Sequence, residues 1–263
     1  MTEARRRVAE HYAAEAEAFD RYWSPTLRLM STALLPHLPL ARARRVADLG
    51  CGTGGLLAAL REAAPNAIVV GVDLTEPMLA VARRSSDAAL AAMAVEQLGL
   101  REGSLDAAVF SFVLHRVGEP LEALREAARV LAPGGAVGIV AWGQSQPSPA
   151  SRVWNEELDR LRRRPEPELV ANHALLDAPE KLERLLVGAG LVRARGWRRR
   201  FEQRSAPDEW LDFQLGYASR RVSALPAAER DAIVGRVRAR LRTLDAEAFV
   251  YRPEAVFAVG RRG

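Results

Sequence analysis

The sequence predicts an α/β fold built on a doubly wound, largely parallel sheet, and three observations carry that prediction. From Arg45 onward, short apolar runs alternate with longer amphipathic stretches. The apolar runs are nearly unbroken, as strands covered on both faces are. The first of them, Arg45-Val46-Ala47, runs into Asp48-Leu49-Gly50-Cys51-Gly52-Thr53-Gly54-Gly55, a glycine turn that opens a helix at Leu56. A strand, turn and helix in that order place a ligand at the carboxyl end of a parallel strand. Glycine, having no Cβ, lets the backbone approach it closely.

Ahead of that turn, residues 4–20 and 25–38 read as two helices broken near Ser24-Pro25. Strands are expected at 45–49, 67–73, 89–94, 106–111 and 135–142, with helices at 55–64, 76–84 and 119–131 between them. The rhythm stops after Trp142-Gly143, in the loop Gln144-Ser145-Gln146-Pro147-Ser148-Pro149. An arginine-rich amphipathic helix follows at 150–163, then a stretch punctuated by Pro165, Pro167 and Pro179. Residues 179–189 read as a helix that Gly190 terminates. A strand at 191–203, helices at about 207–221 and 226–243, and a last strand at 254–261 complete the chain. Arg193, Arg195, Arg198, Arg199, Arg200 and Arg204 alternate there with Val192, Ala194, Trp197 and Phe201, the pattern of a half-exposed strand.

Length and composition narrow the classes. A chain of 263 residues fits one sizeable domain or a domain with a large cap. No apolar run is long enough to span a membrane. The basic stretch Met1-Thr2-Glu3-Ala4-Arg5-Arg6-Arg7 has no apolar signal core behind it, so a cytoplasmic location is expected. Cys51 is the only cysteine, which excludes an intrachain disulfide and argues against a thiolate metal cage. The net charge is +5, and Lys181 is the single lysine among 38 basic residues. Arginine used that uniformly is a compositional habit and reads as solvated surface before it reads as a nucleic-acid site.

Three motifs then occur in order: Asp48 to Gly54, Gly71-Val72-Asp73-Leu74-Thr75-Glu76-Pro77-Met78-Leu79, and Leu131-Ala132-Pro133-Gly134-Gly135. Together, across roughly residues 45–143, they resemble class I S-adenosylmethionine-dependent methyltransferases of the small-molecule, ubiquinone/menaquinone-biosynthesis-like type. Gly50, Gly52 and Gly55 alone also satisfy the G-x-G-x-x-G of dinucleotide-binding folds, and Asp73 suits a nicotinamide cofactor equally. The resemblance implies a Rossmann-like seven-stranded sheet with its last strand antiparallel, helical cap segments, and S-adenosylmethionine as cofactor. It also implies three regions: N-terminal helices over the cofactor site (1–40), a cofactor-binding core (41–145), and completion of the sheet with cap insertions for the acceptor (146–263).

Carried onto this chain, the resemblance puts Asp48 near the cofactor's amino group, where it also accepts hydrogen bonds from the turn, and sets Gly50, Cys51, Gly52 and Gly54 against the methionine portion. Asp73 binds both ribose hydroxyls through charge-assisted bonds. Leu74 and Met78 line the adenosine, although Met78 reads equally well as a core residue of the following helix. Met93-Ala94-Val95-Glu96-Gln97-Leu98 follows the family's pattern except at Ala94, where an acid usually meets the adenine amino group. Val95 then offers its backbone N–H, with Glu96 nearby.

Ser111 and Phe112, after the fourth strand, fall where the methyl group reacts. His115 is the candidate general base, with His173 a lesser one. Tyr12, Tyr22 and Trp23 offer aromatic faces that suit a sulfonium cation, and core packing explains them as well. The Asn/Asp-Pro-Pro-Tyr/Phe of base N-methyltransferases is missing, and the only cysteine lies in the first motif, so a nucleic-acid base is not the expected substrate. No metal-ligating cluster stands out. The expected function is transfer of a methyl group to an O, N or C nucleophile of a small organic acceptor. The alternatives are an RNA methyltransferase using the arginine surface, a nicotinamide oxidoreductase, and a non-catalytic S-adenosylmethionine-binding protein. Self-association as a homodimer is left open.

Overall fold

The computed structural model describes residues 2–161, 169, 171–217, 222 and 225–263. The chain divides into two compact units. The first comprises Met1–Gly143, Leu169–Arg199 and Ala255–Gly263; the second comprises Gln144–Glu168 and Arg200–Glu254.

In the first unit, α1 (Glu3–Ala18) passes through a π-helical turn, Phe19–Trp23, into α2 (Ser24–Ser31), and a 3-10 turn, Thr32–His37, follows. The break expected at Ser24-Pro25 is therefore absent. Pro25 sits in the first turn of α2, where its missing N–H costs nothing, and the wider turn before it absorbs the change of path. The helix expected over 25–38 stops at Ser31 and tightens, with Pro36 inside the tightened stretch.

The sheet strands are β1 (Arg45–Leu49), β2 (Ile68–Asp73), β3 (Ala89–Ala92), β4 (Leu105–Ser111), β5 (Leu131–Trp142), β6 (Leu191–Arg200) and β9 (Glu254–Arg262). They lie in the order β3-β2-β1-β4-β5-β9-β6. Strands β3 to β5 pair in parallel, whereas β9 runs antiparallel to β5, with Trp142 opposite Ala255 and Ala136 opposite Arg261. The Rossmann-like, seven-stranded arrangement read from the motifs is the one observed. Helices α3 (Leu57–Ala63), α4 (Glu76–Ser85), α5 (Pro120–Val130), α7 (His173–Leu176) and α8 (Pro179–Gly188) flank it. The core lies between sheet and helices, where Leu49, Phe110, Val137 and Ile139 meet Leu124, Ala127 and Leu186. Strand order reverses between β1 and β4, each the other's parallel neighbour, and that switch point opens a crevice at the strands' carboxyl ends.

Two boundaries differ from expectation. β5 begins at Leu131 and so includes Pro133-Gly134-Gly135, whose irregular pairing shifts the register opposite Leu105 and Ala107. The strand expected over 191–203 ends at Arg200, because Phe201 N–H turns to the Pro253 carbonyl. β6 is an edge strand, and its exposed arginines discourage pairing with another chain.

The second unit holds α6 (Pro149–Asp159), α9 (Pro207–Gly216), α10 (Ala227–Leu241) and a small sheet of β7 (Gln203–Arg204) with β8 (Val250–Tyr251). Residues 162, 163 and 218–221 of the expected helices, together with Pro165 and Pro167, lie outside the described residues. Trp154, Trp210, Ile233, Val237 and Phe249 share its core. Fully buried Glu157 accepts hydrogen bonds from Arg236 at 3.0 Å and Arg240 at 3.0 Å. Burial opposes its ionisation, but these arginines and Arg160 hold the carboxyl below its ordinary range.

Gly71 lies mid-strand in β2, directly beneath the glycine turn. A Cβ there would stand 2.6 Å from Leu90 and 2.9 Å from the Cys51 sulfur. Gly71→Ala therefore overpacks the centre of the sheet, and urea unfolding should show a loss of about 1–3 kcal/mol.

Candidate functional site

The site is assembled where β1, β2, β3 and β4 end. The turn after β1 places Gly50 at φ +82°, Gly52 at +54° and Gly54 at +82°, conformations that glycine adopts without a steric penalty. Gly50 N–H and Cys51 N–H both donate to the Val72 carbonyl, at 2.7 and 2.9 Å, which fastens the turn to β2. A Cβ on Gly50 would meet Val113, beyond β4, at 2.4 Å.

Asp73 ends β2 and completes the fastening. Its Oδ2 accepts from Gly52 N–H at 2.9 Å, and its Oδ1 accepts from Thr75 N–H and Thr75 Oγ1, both at 2.9 Å. Burial pushes the Asp73 carboxyl up, and the Thr75 and Gly52 hydrogen bonds pull against that. The Leu74 N–H pulls the same way. Met93 N–H donates to the Asp73 carbonyl at 2.9 Å, so the loop after β3 starts beside the same residue.

Asp48 is 1% exposed, and its Oδ1 has no hydrogen-bond partner. The turn's tether is thus Asp73, not Asp48 as the sequence suggests. Burial, with the Asp73 charge second, pushes the Asp48 carboxyl up to about 7. Burial likewise pushes the Cys51 thiol up, which makes it an inert packing residue in the turn. Thr53 Oγ1 is also buried without a partner.

The N-terminal helices reach this turn. A Cβ on Gly52 would be 3.6 Å from the Phe19 ring, and one on Gly55 would collide with Ser24 Oγ at 2.3 Å. Tyr12 and Phe19 pack edge to face at 5.9 Å and join Met78, Ala16 and Val81 in one buried cluster. Met78 is therefore a core residue of α4 seated beneath Phe19, the second of the two roles its sequence allows. The Tyr22 ring receives the Arg21 guanidinium at 5.1 Å. Leu74 follows Asp73, partly buried. The Val95 side chain is committed to the main core, so its backbone is what it can offer a ligand. Glu96 pairs with Arg5 of α1 at 3.0 Å.

Beyond β4, Ser111 Oγ lies 2.5 Å from Ser31 Oγ. Phe112 has φ +53°, a costly conformation for an aromatic residue, and its N–H is held by the Val140 carbonyl at 2.9 Å. The Phe112 ring contacts Trp142 at 4.4 Å, and Trp142 stacks on Trp23 at 5.6 Å. His115 is buried and stacks on His173 at 4.4 Å. Burial, then Arg116 and His173, hold its pKa well below the usual histidine value, so the ring is neutral. Asn172 ties α7 to this turn, its N–H donating to the His115 carbonyl and its Nδ2 to the Val117 carbonyl.

Phe19, Ser24, Thr75, Val113 and Arg5 were not singled out as site residues by sequence. Thr75 carried a local signal, a hydroxyl two residues after Asp73 at a helix start; the others are brought in by tertiary packing.

A family model described as a methyltransferase domain matches residues 47–139. Over 97 residues the chain is 41% identical to the demethylmenaquinone methyltransferase of Thermus thermophilus, covering 35% of this chain and 44% of that protein. It therefore spans less than half of that relative's length. It is 29% identical over 243 residues to the malonyl-[acyl-carrier protein] O-methyltransferase of a Marinomonas species, covering 82% of this chain and 87% of that one. A SAM-dependent methyltransferase structure from Thermotoga maritima shares the fold at a TM-score of 0.57 and 18% identity, covering 97% of this chain and 100% of that one. The methyltransferase-domain match thus falls on the segment that runs from β1 into β5 and holds the Asp73-tethered glycine turn.

Proposed function

We propose that this protein transfers the methyl group of S-adenosylmethionine to an O, N or C nucleophile of a small organic acceptor by in-line displacement. The observation that carries the reading is the pair of carboxylates at the switch point: Asp73 holding the glycine turn, and Asp48 buried beside it with an oxygen unpartnered. The cofactor's ammonium supplies the partner that Asp48 Oδ1 lacks. Asp73, at the end of β2 beside the turn, takes the ribose hydroxyls. The glycine turn keeps side chains away from the methionine portion, and Phe19 and Ser24 cover it.

The cofactor supplies an electrophilic methyl group, so the protein's share is binding and orientation. Positioning alone accounts for about 7–11 kcal/mol in favourable cases. Phe112 and Trp142, held rigidly at the ends of β4 and β5, border the place where the acceptor is oriented. His115, neutral and buried, takes a proton at an imidazole nitrogen. With a depressed pKa it is a weak base, and it suits an acceptor that gives up its proton readily, such as a phenol or quinol. A second acceptor class has the Marinomonas relative in its favour, because a carboxylate acceptor needs no base at all. Acceptor selectivity is assigned to residues outside the matched 47–139, Trp142 and His173 among them.

Three measurements test this. Calorimetric titration should show S-adenosylhomocysteine binding to the wild type and a loss of at least about tenfold in Asp73→Ala, one charge-assisted bond and the turn's tether being removed. Binding of NAD(P)H in place of the sulfur nucleoside would sink the reading. His115→Asn should leave that binding unchanged and lower kcat by about 10²–10⁴ on a phenolic acceptor. An unchanged kcat would make His115 a packing residue or point to the carboxylate class.

Asp48 gives a pH signature. Its pKa rises from 3.8 unfolded to about 7 folded, so its burial cost grows between those values and is complete above about pH 7. Without cofactor, Asp48→Asn should be stabilising at pH 8, and clearly less so at pH 5. A gain independent of pH would show that Asp48 is not the buried charge.

A further inference from the structure

We infer that Arg5 is an adenine-recognition residue, donating its Nε–H to a ring nitrogen of the cofactor's base in place of the acid that Ala94 replaces. The inference rests on the S-adenosylmethionine reading. Four buried side-chain atoms lack hydrogen-bond partners among the described residues: Arg5 Nε, Asp48 Oδ1, Thr53 Oγ1 and Ser104 Oγ. Two of them belong to the glycine-turn segment. A third, Arg5 Nε, belongs to α1, and its guanidinium pairs with Glu96 of the loop after β3.

The route from Asp73 to Arg5 is short. A ribose at Asp73, with the amino-acid portion toward the β1 turn, sends its base the other way, toward β3. The loop after β3 begins there, Met93 N–H donating to the Asp73 carbonyl at 2.9 Å. It folds back on itself through Gln97 N–H to the Ala94 carbonyl at 3.0 Å, which presents Ala94, Val95 and Glu96 as a tight turn. Glu96 Oε1 holds Arg5 Nη2 at 3.0 Å, with the two side chains 15% and 26% exposed. That ion pair orients the guanidinium and leaves Nε enclosed beside the loop with nothing to donate to.

The chemistry matches the base in one sense only. Guanidinium nitrogens are donors and never acceptors, whereas the adenine ring nitrogens are acceptors. Ala94 has no side-chain oxygen to receive the 6-amino group. Recognition here therefore runs from protein donor to base acceptor, reversing the polarity an acid at that place would give. A buried donor left unpaired is costly, so filling it with a ring nitrogen gains more than an exposed contact would.

The competing role for Arg5 is a latch that holds α1 to the loop through Glu96. Titrating S-adenosylhomocysteine and its 1-deaza, 3-deaza and 7-deaza analogues into wild type, Arg5→Ala and Arg5→Lys separates the two. Lysine retains a cation for Glu96 but has no Nε–H. We expect one deaza analogue to bind wild type about tenfold or more weakly than the parent nucleoside, and that gap to vanish in both variants. All four ligands weakened by one common factor, or Arg5→Lys discriminating as wild type does, would overturn the proposal and leave a latch. Wild type binding the deaza analogues and the parent equally would overturn it as well. Failure of wild type to bind S-adenosylhomocysteine at all would instead overturn the cofactor reading, and this inference with it.

Discussion

The site depends on one carboxylate. Asp73 receives Gly52 N–H with one oxygen and Thr75 with the other, and so joins the β1 turn to the start of α4 across the end of β2. Backbone bonds from Gly50 and Cys51 to Val72, and from Leu79 to Thr75, hold each segment separately, and the carboxylate links the two. Charge-assisted acceptance by a partly buried carboxylate is strong enough to set both. Its carbonyl extends the same control to the loop after β3 by accepting Met93 N–H. Three of the four strand ends that shape the crevice are thus referred to a single residue, and Gly50 against Val113 brings in the fourth by packing.

That economy has an electrostatic cost. The Asp73 charge disfavours ionisation of Asp48, and neither acid is in an ion pair among the described residues. Burial raises both. Two buried carboxylates at one turn, neither ion-paired among the described residues, suit a cationic group there. S-adenosylmethionine, with an ammonium and a sulfonium, relieves the strain that the apo arrangement carries. Asp73 suits the ribose of either cofactor, so what weighs against a pyrophosphate at the turn is Asp48, the second buried acid.

What the sequence made legible is what is local. Asp48 to Gly55 names a turn because glycines must stand where φ is positive, and Gly50, Gly52 and Gly54 do. Near-continuous apolar runs named β1, β2, β4 and β5 because strands covered on both faces have no other way to be written. The cover over the turn was not legible in the same way. Phe19 meets Gly52 across 33 positions of chain, and nothing in Ala18-Phe19-Asp20 marks it as different from any amphipathic helix. The continuous path of α1 into α2 was missed because proline usually ends a helix, and the π-helical turn that removes the conflict is a property of the packed chain. Asp48 and Asp73 exchanged the tethering role for a related reason: both are acids at strand ends, and only tertiary geometry decides which one Gly52 reaches.

The same distinction separates donor from acceptor chemistry. The donor is bound by backbone conformation and strand-end carboxylates, which a short motif can encode. In the proposed reading the acceptor side is formed by two ring pairs, Phe112 with Trp142 and His115 with His173, drawn from three separate segments. None of these residue types at these positions requires one acceptor over another. Their common property is rigidity: Phe112 is held at φ +53°, and His115 is locked by a stacked ring and by Asn172. A rigid, largely apolar wall with one weak base selects by shape and by how readily an acceptor releases its proton. With His115 as the proposed base, such a wall suits a flat or already ionised acceptor better than an unactivated alcohol.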